Sequence, residues 1–136
     1  MNKREQMLEI LKDTRDYYKD DPVNLRSVDK DGNCNYTWGN THCAIGRYLK
    51  PEHQKEKWSC NNDSVYQLSE EYISDDNVDG TIDWAVREEV HGIDVEFWMR
   101  LQDFHDCRHH WDEHGVTDEG KHEYIQIQEK ITGGSY

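Results

Sequence analysis

Apolar side chains in the first twenty residues recur at helical spacing. Met7, Leu8, Ile10, Leu11, Tyr17 and Tyr18 form one stripe, which predicts an amphipathic helix over residues 3–20. Asp20-Asp21-Pro22 stops it, because the residue before a proline is pushed out of the helical region. Val23 to Val28 reads as extended, and Asp29-Lys30-Asp31-Gly32-Asn33 as a turn. Cys34, Tyr36 and Trp38 alternate with Asn35 and Thr37, the period of a half-buried strand, so a hairpin over 23–38 is expected.

Beyond it, Thr41 is placed to cap a short helix from His42 to Leu49 that ends at Lys50-Pro51. A polar loop with Trp58 and Cys60 follows, and Ser64 with Gln67 makes a capping box for a helix through Ile73. An acidic loop from Asp75 to Gly80 precedes a short helix expected from Ile82 to Val90. The longest helix is expected over 95–114, with Phe97, Leu101, Phe104 and Trp111 on one stripe and Gly115 as its C′ residue. Thr117 caps a last helix carrying Tyr124, Ile127 and Ile131. These elements predict an α+β fold, mostly α, with about five to six helices and one small β-hairpin near the N-terminal third. Residues 1–132 read as a single compact domain, and 133–136 as a frayed tail or a vector-derived remnant.

Composition changes the picture in two ways. Aliphatic residues are sparse, but 5 Trp, 8 Tyr and 2 Phe supply large apolar area, so the expected core is small and rich in aromatic rings. The formal net charge is −13 and is unevenly spread. Residues 1–50 carry 9 basic and 8 acidic side chains, whereas 51–136 carry 7 and 21. Within 63–96 there are 11 acids and one base, Arg87. Such a field repels polyanions, so direct nucleic-acid binding and anionic membrane surfaces are excluded as expectations. No stretch approaches the roughly 20 apolar residues of a membrane span. Met1-Asn2-Lys3-Arg4-Glu5 leads into polar sequence without an apolar segment, so no secretory signal is expected. Cys34, Cys43, Cys60 and Cys107 then read as reduced, buried thiols of a cytosolic protein.

Three constellations could carry chemistry. Asp75, Asn77, Asp79 and Asp83 stand at positions one, three, five and nine of a calcium-like loop, with Gly80 for the sharp turn and Ile82 at the apolar eighth position. The bidentate acid wanted at position twelve is Val86, so the loop reads either as a weakened calcium site or as an acidic turn capping a helix. No cofactor is required, and calcium is the metal whose oxygen ligands this loop would supply.

His110 with Glu113-His114 spells HxxEH, a zinc-protease pattern when it lies on a helix. Asp106, His110 and His114 would stack at helical spacing there, enough for adventitious nickel or zinc. Cys43 lies in the first turn of an expected helix, where the dipole lowers a thiol's pKa. With His105 as base and Asp106 or Asn40 as orienting group it would make a thiol hydrolase or transferase. Its plain alternative is a core thiol preceding Ala44-Ile45.

Cys34-Asn35-Tyr36, then Cys43-Ala44-Ile45-Gly46-Arg47-Tyr48-Leu49, then Leu101-Gln102-Asp103-Phe104-His105-Asp106 form three blocks across about residues 34–115. In these the chain resembles an uncharacterised group of small phage-encoded proteins. The resemblance implies a phage accessory protein acting in the host cytoplasm and supplies no activity. Neither the HxxEH histidines nor the calcium-like loop belongs to the shared blocks.

The expected function follows from charge. Glu70, Glu71, Asp75, Asp76, Asp79, Asp83, Glu88 and Glu89 would present an acidic face to a host protein with a basic surface, blocking a defence or nucleic-acid-handling protein. A one-signed face also serves solubility. Two alternatives stand beside it. One is the Cys43–His105 enzyme. The other is sequestration of a small signalling nucleotide, with Trp and Tyr stacking on the base and Arg47 or Arg26 meeting phosphates. The acidic balance opposes that last reading unless the positive residues of 1–50 line the pocket.

Overall fold

The computed structural model describes residues 2–19, 37–38, 41–42, 44–54, 80–106, 110–112 and 114–136. Helix α1 runs Lys3–Tyr18. The Asn2 side chain caps it by accepting the Glu5 N–H at 2.8 Å, satisfying one of the first-turn donors. Its buried stripe is Met7, Ile10, Leu11 and Thr14, spaced three, four and seven apart. The Thr14 hydroxyl donates back to the Ile10 carbonyl at 2.9 Å, so this polar group sits in the core without an orphaned donor.

Two short strands follow, β1 (Thr37–Trp38) and β2 (Thr41–His42), paired antiparallel. The chain then makes a 3₁₀ turn over Gly46–Tyr48 and a single-turn helix α2 (Pro51–Gln54). Ala44, Ile45 and Leu49 are fully buried.

Residues 80–94 form a clasp whose one regular piece is a 3₁₀ turn over Glu88–Val90. Thr81 bridges Asp94 at its neck, and Val86 bridges Leu49 at its tip, both antiparallel. Lys50 N–H donates to the Ala85 carbonyl and Arg87 N–H to the Tyr48 carbonyl, each at 2.9 Å. Both carboxylate oxygens of Asp83 accept the Gly92 N–H, at 3.0 and 3.1 Å. Gly92 has φ +82°, a conformation that costs a glycine little and an L-residue much. The Gln6 side-chain amide donates to the Glu89 carbonyl and ties the clasp to α1.

Helix α3 (Val95–Asp106) is the central element. Val95, Phe97, Trp98, Leu101, Gln102, Phe104 and His105 are all buried, covering most of its circumference. Helix α4 (Asp118–Thr132) is capped by Thr117, whose hydroxyl accepts the Gly120 N–H at 3.1 Å, and it carries Asp118 and Glu119 in its first turn. It packs on α1 and α3 through Ile127 and Ile131. Between α3 and α4 lies the hairpin β3 (Trp111–Asp112) and β4 (Gly115–Val116). Among the described residues no helix is long and apolar enough to cross a membrane.

This architecture corrects the expected fold class. Among the described residues there are three helices of twelve residues or more instead of five to six, and a two-stranded hairpin stands in the C-terminal part. Residues 23–36 of the expected N-terminal hairpin, and the expected helix 64–73, lie outside the described residues. Thr37 and Trp38 pair forward with Thr41 and His42, so Thr41 is a strand residue and not a helix cap.

The helix expected over 82–90 is replaced by the clasp, because Val86 and its neighbours take backbone partners from Tyr48 to Lys50. The helix expected over 95–114 stops at Asp106. The carbonyl of Phe104, which a continuing helix would spend on the residue four ahead, accepts the Trp111 indole N–H at 3.1 Å. His110 Nδ1 reaches the same carbonyl at 2.9 Å. Trp111 also packs edge-on against Phe104, at 5.3 Å between centroids, so reversal buries a ring that a longer helix would carry away. At the C-terminus, Ser135 N–H donates to the Lys130 carbonyl and the Tyr136 ring packs edge-on against Phe97 at 5.8 Å.

Candidate functional site

The thiol constellation is partly visible. Cys43 lies outside the described residues, as do Cys34, Cys60 and Cys107 and the Asp106 side chain. Ile45 N–H donates to Gln102 Oε1 at 3.3 Å, so the CAIG block and the Leu101–Asp106 block meet through this bond. His105, three residues after Gln102 and on the same helical face, is 1% exposed. Its ring centroid lies 6.5 Å from that of Trp111.

Asp75, Asn77 and Asp79 of the calcium-like loop lie outside the described residues. The fourth, Asp83, spends both oxygens on the Gly92 N–H and so closes the clasp. The HxxEH reading fails on geometry. His110 and His114 flank β3 and do not lie on a helix, so they do not share the helical face the pattern needs. Among the described residues no group of three His, Cys, Asp or Glu comes together to hold a metal ion.

Of the acidic stretch, Glu70, Glu71, Asp75, Asp76 and Asp79 lie outside the described residues. Glu88, Glu89 and Glu96 are exposed, while Asp83 and Asp94 are partly covered, the latter accepting the Glu96 N–H at 2.8 Å. Arg87, the sole base of 63–96, is fastened along the 46–48 turn. Its Nη2 donates to the Arg47 carbonyl at 3.1 Å and its guanidinium lies 5.8 Å from the Tyr48 ring centroid. Its Nε stands 3.3 Å from Glu89 Oε1. Trp84, 39% exposed, stands in the same stretch with its ring edge-on to His53 at 5.4 Å.

A second surface has the opposite sign. A groove of about 790 Å³ runs between α1, α4 and the β3–β4 turn, lined by Lys12, Arg15, Lys19, Lys121, His114 and Tyr124 among others. Arg15 lies over the Tyr124 ring, 4.8 Å from its centroid. Beside the groove, Asp16 Oδ1 is 3.2 Å from Arg15 Nε and 3.6 Å from Lys19 Nζ. Burial pushes the Asp16 carboxyl up, but the Arg15 hydrogen bond and the charges of Arg15, Lys19 and Lys12 outweigh it and hold the pKa below the usual carboxylate value. Burial raises the Tyr124 hydroxyl above its ordinary value despite Arg15.

The expectations drawn from sequence keep a nucleotide site open should the positive residues of 1–50 line a pocket, but assign no residues to this groove. Its signal was present in one half only: Lys12, Arg15 and Lys19 are spaced three and seven apart, hence on one face of α1. Of the two bases named for a nucleotide site, Arg26 lies outside the described residues and Arg47 is committed elsewhere. It stacks 4.1 Å over Tyr17 and donates to the Asp13 carbonyl at 3.2 Å. Set against family models, curated proteins and solved structures, the chain matches none of them.

Proposed function

We propose that the chain is a binding protein that docks the acidic stretch 63–96 on a basic surface of another protein. The observation that carries this is the fate of Arg87. The one cation among 11 acids is held by the Arg47 carbonyl and the Tyr48 ring and pairs with Glu89, which leaves exposed Glu88 and Glu96 without a compensating base from that stretch. Trp84 supports the reading, since half-exposed tryptophans are enriched among the residues that dominate interface energetics. In keeping with the phage resemblance, the partner is a host protein of the defence or nucleic-acid-handling kind, met in the host cytoplasm and blocked by occupation of its basic site.

The test starts with a partner captured from host lysate and then purified. Glu70, Glu71, Glu88 and Glu89 changed to Gln together should slow its association about tenfold or more at low salt, and high salt should erase the difference. Trp84→Ala should speed dissociation with little effect on association. Association of the quadruple variant as fast as wild type would reduce the acidic stretch to a solvated surface.

A further inference from the structure

We propose that the groove between α1 and α4 binds a small molecule carrying a run of two or three linked phosphates. Four cations line it, Lys12 and Arg15 from α1, Lys19 at its C-cap and Lys121 from α4, and among the described residues no carboxylate does. Asp16 beside it is shared between Arg15 and Lys19, so it neutralises one charge of the four. This concentration is conspicuous in a chain of net charge −13. Like charges at these spacings destabilise the helix. An anion seated among them removes that repulsion.

Spacing selects the anion. Lys12 and Lys19 are seven residues apart, about 10 Å along the helix axis at ~1.5 Å per residue. One phosphate cannot bridge that length, whereas consecutive phosphates can, with Lys121 approaching from the opposite wall. The Arg15 guanidinium is a fork suited to phosphate oxygens and is already oriented by Tyr124 and Asp16.

The volume of about 790 Å³ falls within the range of small-molecule sites, roughly 300–1,000 Å³. Tyr124 and the half-exposed Ile125 give the groove an apolar side, room for an organic group attached to the phosphates. The His114–Gly115 turn lines the groove beside the C-terminal end of α1, where a Cβ on Gly115 would lie 3.1 Å from the Lys19 carbonyl. A long polyanion would extend past these cations into the field of the other acids, so a compact ligand is the fit.

Calorimetric titration at about 150 mM salt tests this with sodium tripolyphosphate, ATP, adenosine and a single-stranded DNA 12-mer as probes. Tripolyphosphate and ATP should each bind one-to-one. ATP binding about tenfold tighter would add the nucleoside end to the Tyr124–Ile125 side; equal binding would assign the phosphate run alone. Lys12→Gln with Lys121→Gln, both exposed, should weaken tripolyphosphate about tenfold or more. Arg4→Gln with Lys130→Gln, which removes the same formal charge outside the groove, should change it less than about twofold. Melting curves of both double variants establish that they fold.

Four results overturn the proposal. They are no saturation by about 1 mM tripolyphosphate or ATP, equal loss in the two double variants, adenosine binding as tightly as ATP, and the 12-mer binding more tightly than either phosphate probe.

Discussion

Gln102→Leu removes the hydrogen bond that links the segment after β2 to α3. Gln102 is 5% exposed, and its Oε1 accepts the Ile45 N–H at 3.3 Å, fixing the segment that leads from β2 into the Gly46–Tyr48 turn. Leucine is close in volume and adds no polar atom, so the cavity cost is small and the loss is that of the polar contacts of Gln102, the Ile45 bond among them. A made hydrogen bond is worth about 0.5–1.5 kcal/mol net, and leaving a buried donor unsatisfied costs about 1–3 kcal/mol. Apolar burial of the new side chain offsets part of this, at roughly 25 cal/mol per Å².

The expected loss is therefore about 1–2 kcal/mol, read as a lower urea midpoint at unchanged m-value. In melting temperature that is about 3–12 °C, taking roughly 3–6 °C per kcal/mol for a domain of this size. The Ile45 amide should lose hydrogen-exchange protection beyond the global change, because the site opens locally. A midpoint within about 0.3 kcal/mol of wild type, with Ile45 still protected, would refute the reasoning and remove Gln102 as the link between the CAIG block and α3.

Two further outcomes follow from the packing. Gly120→Ala should cost about 1–3 kcal/mol in urea unfolding, because a Cβ there runs into the His110 carbonyl backbone and not merely a flexible side chain; an unchanged midpoint would show that the hairpin gives way freely. The Tyr136 hydroxyl is pushed up to about 12 by burial, with Arg100 opposing and Glu96 and Glu123 adding. Its folded pKa lies above the unfolded value near 10, so the contribution is present below pH about 10 and is lost as pH rises toward 12. Wild type should then lose melting temperature more steeply over that window than Tyr136→Phe, and parallel curves would mean that the ring is not docked on Phe97 in solution.

Helices α1 and α4 are legible in the sequence because their determinants are local. A periodic stripe and a side-chain cap, Asn2 in one and Thr117 in the other, lie within one or two turns of the backbone they serve. The start of α3 is equally local, but its end is not. Phe97, Leu101, Phe104 and Trp111 keep helical spacing on paper, and only the folded chain shows Trp111 and His110 returning to the Phe104 carbonyl. The same holds for 82–90, where Val86 pairs with Leu49 across nearly forty residues and a short apolar run reads equally well as helix or strand.

Candidate sites divide along the same line. Charge asymmetry over 63–96 is a property of composition and needs no fold. That its one base is held at the 46–48 turn is a tertiary fact. Lys12, Arg15 and Lys19 are a visible stripe on α1, but a stripe becomes a groove only when α4 and the β3–β4 turn supply Lys121, Tyr124 and His114 from more than ninety residues away. Local sequence sets which face a helix shows its neighbour. Which neighbour arrives is decided by burial of the shared aromatic core, and that term has no local signature.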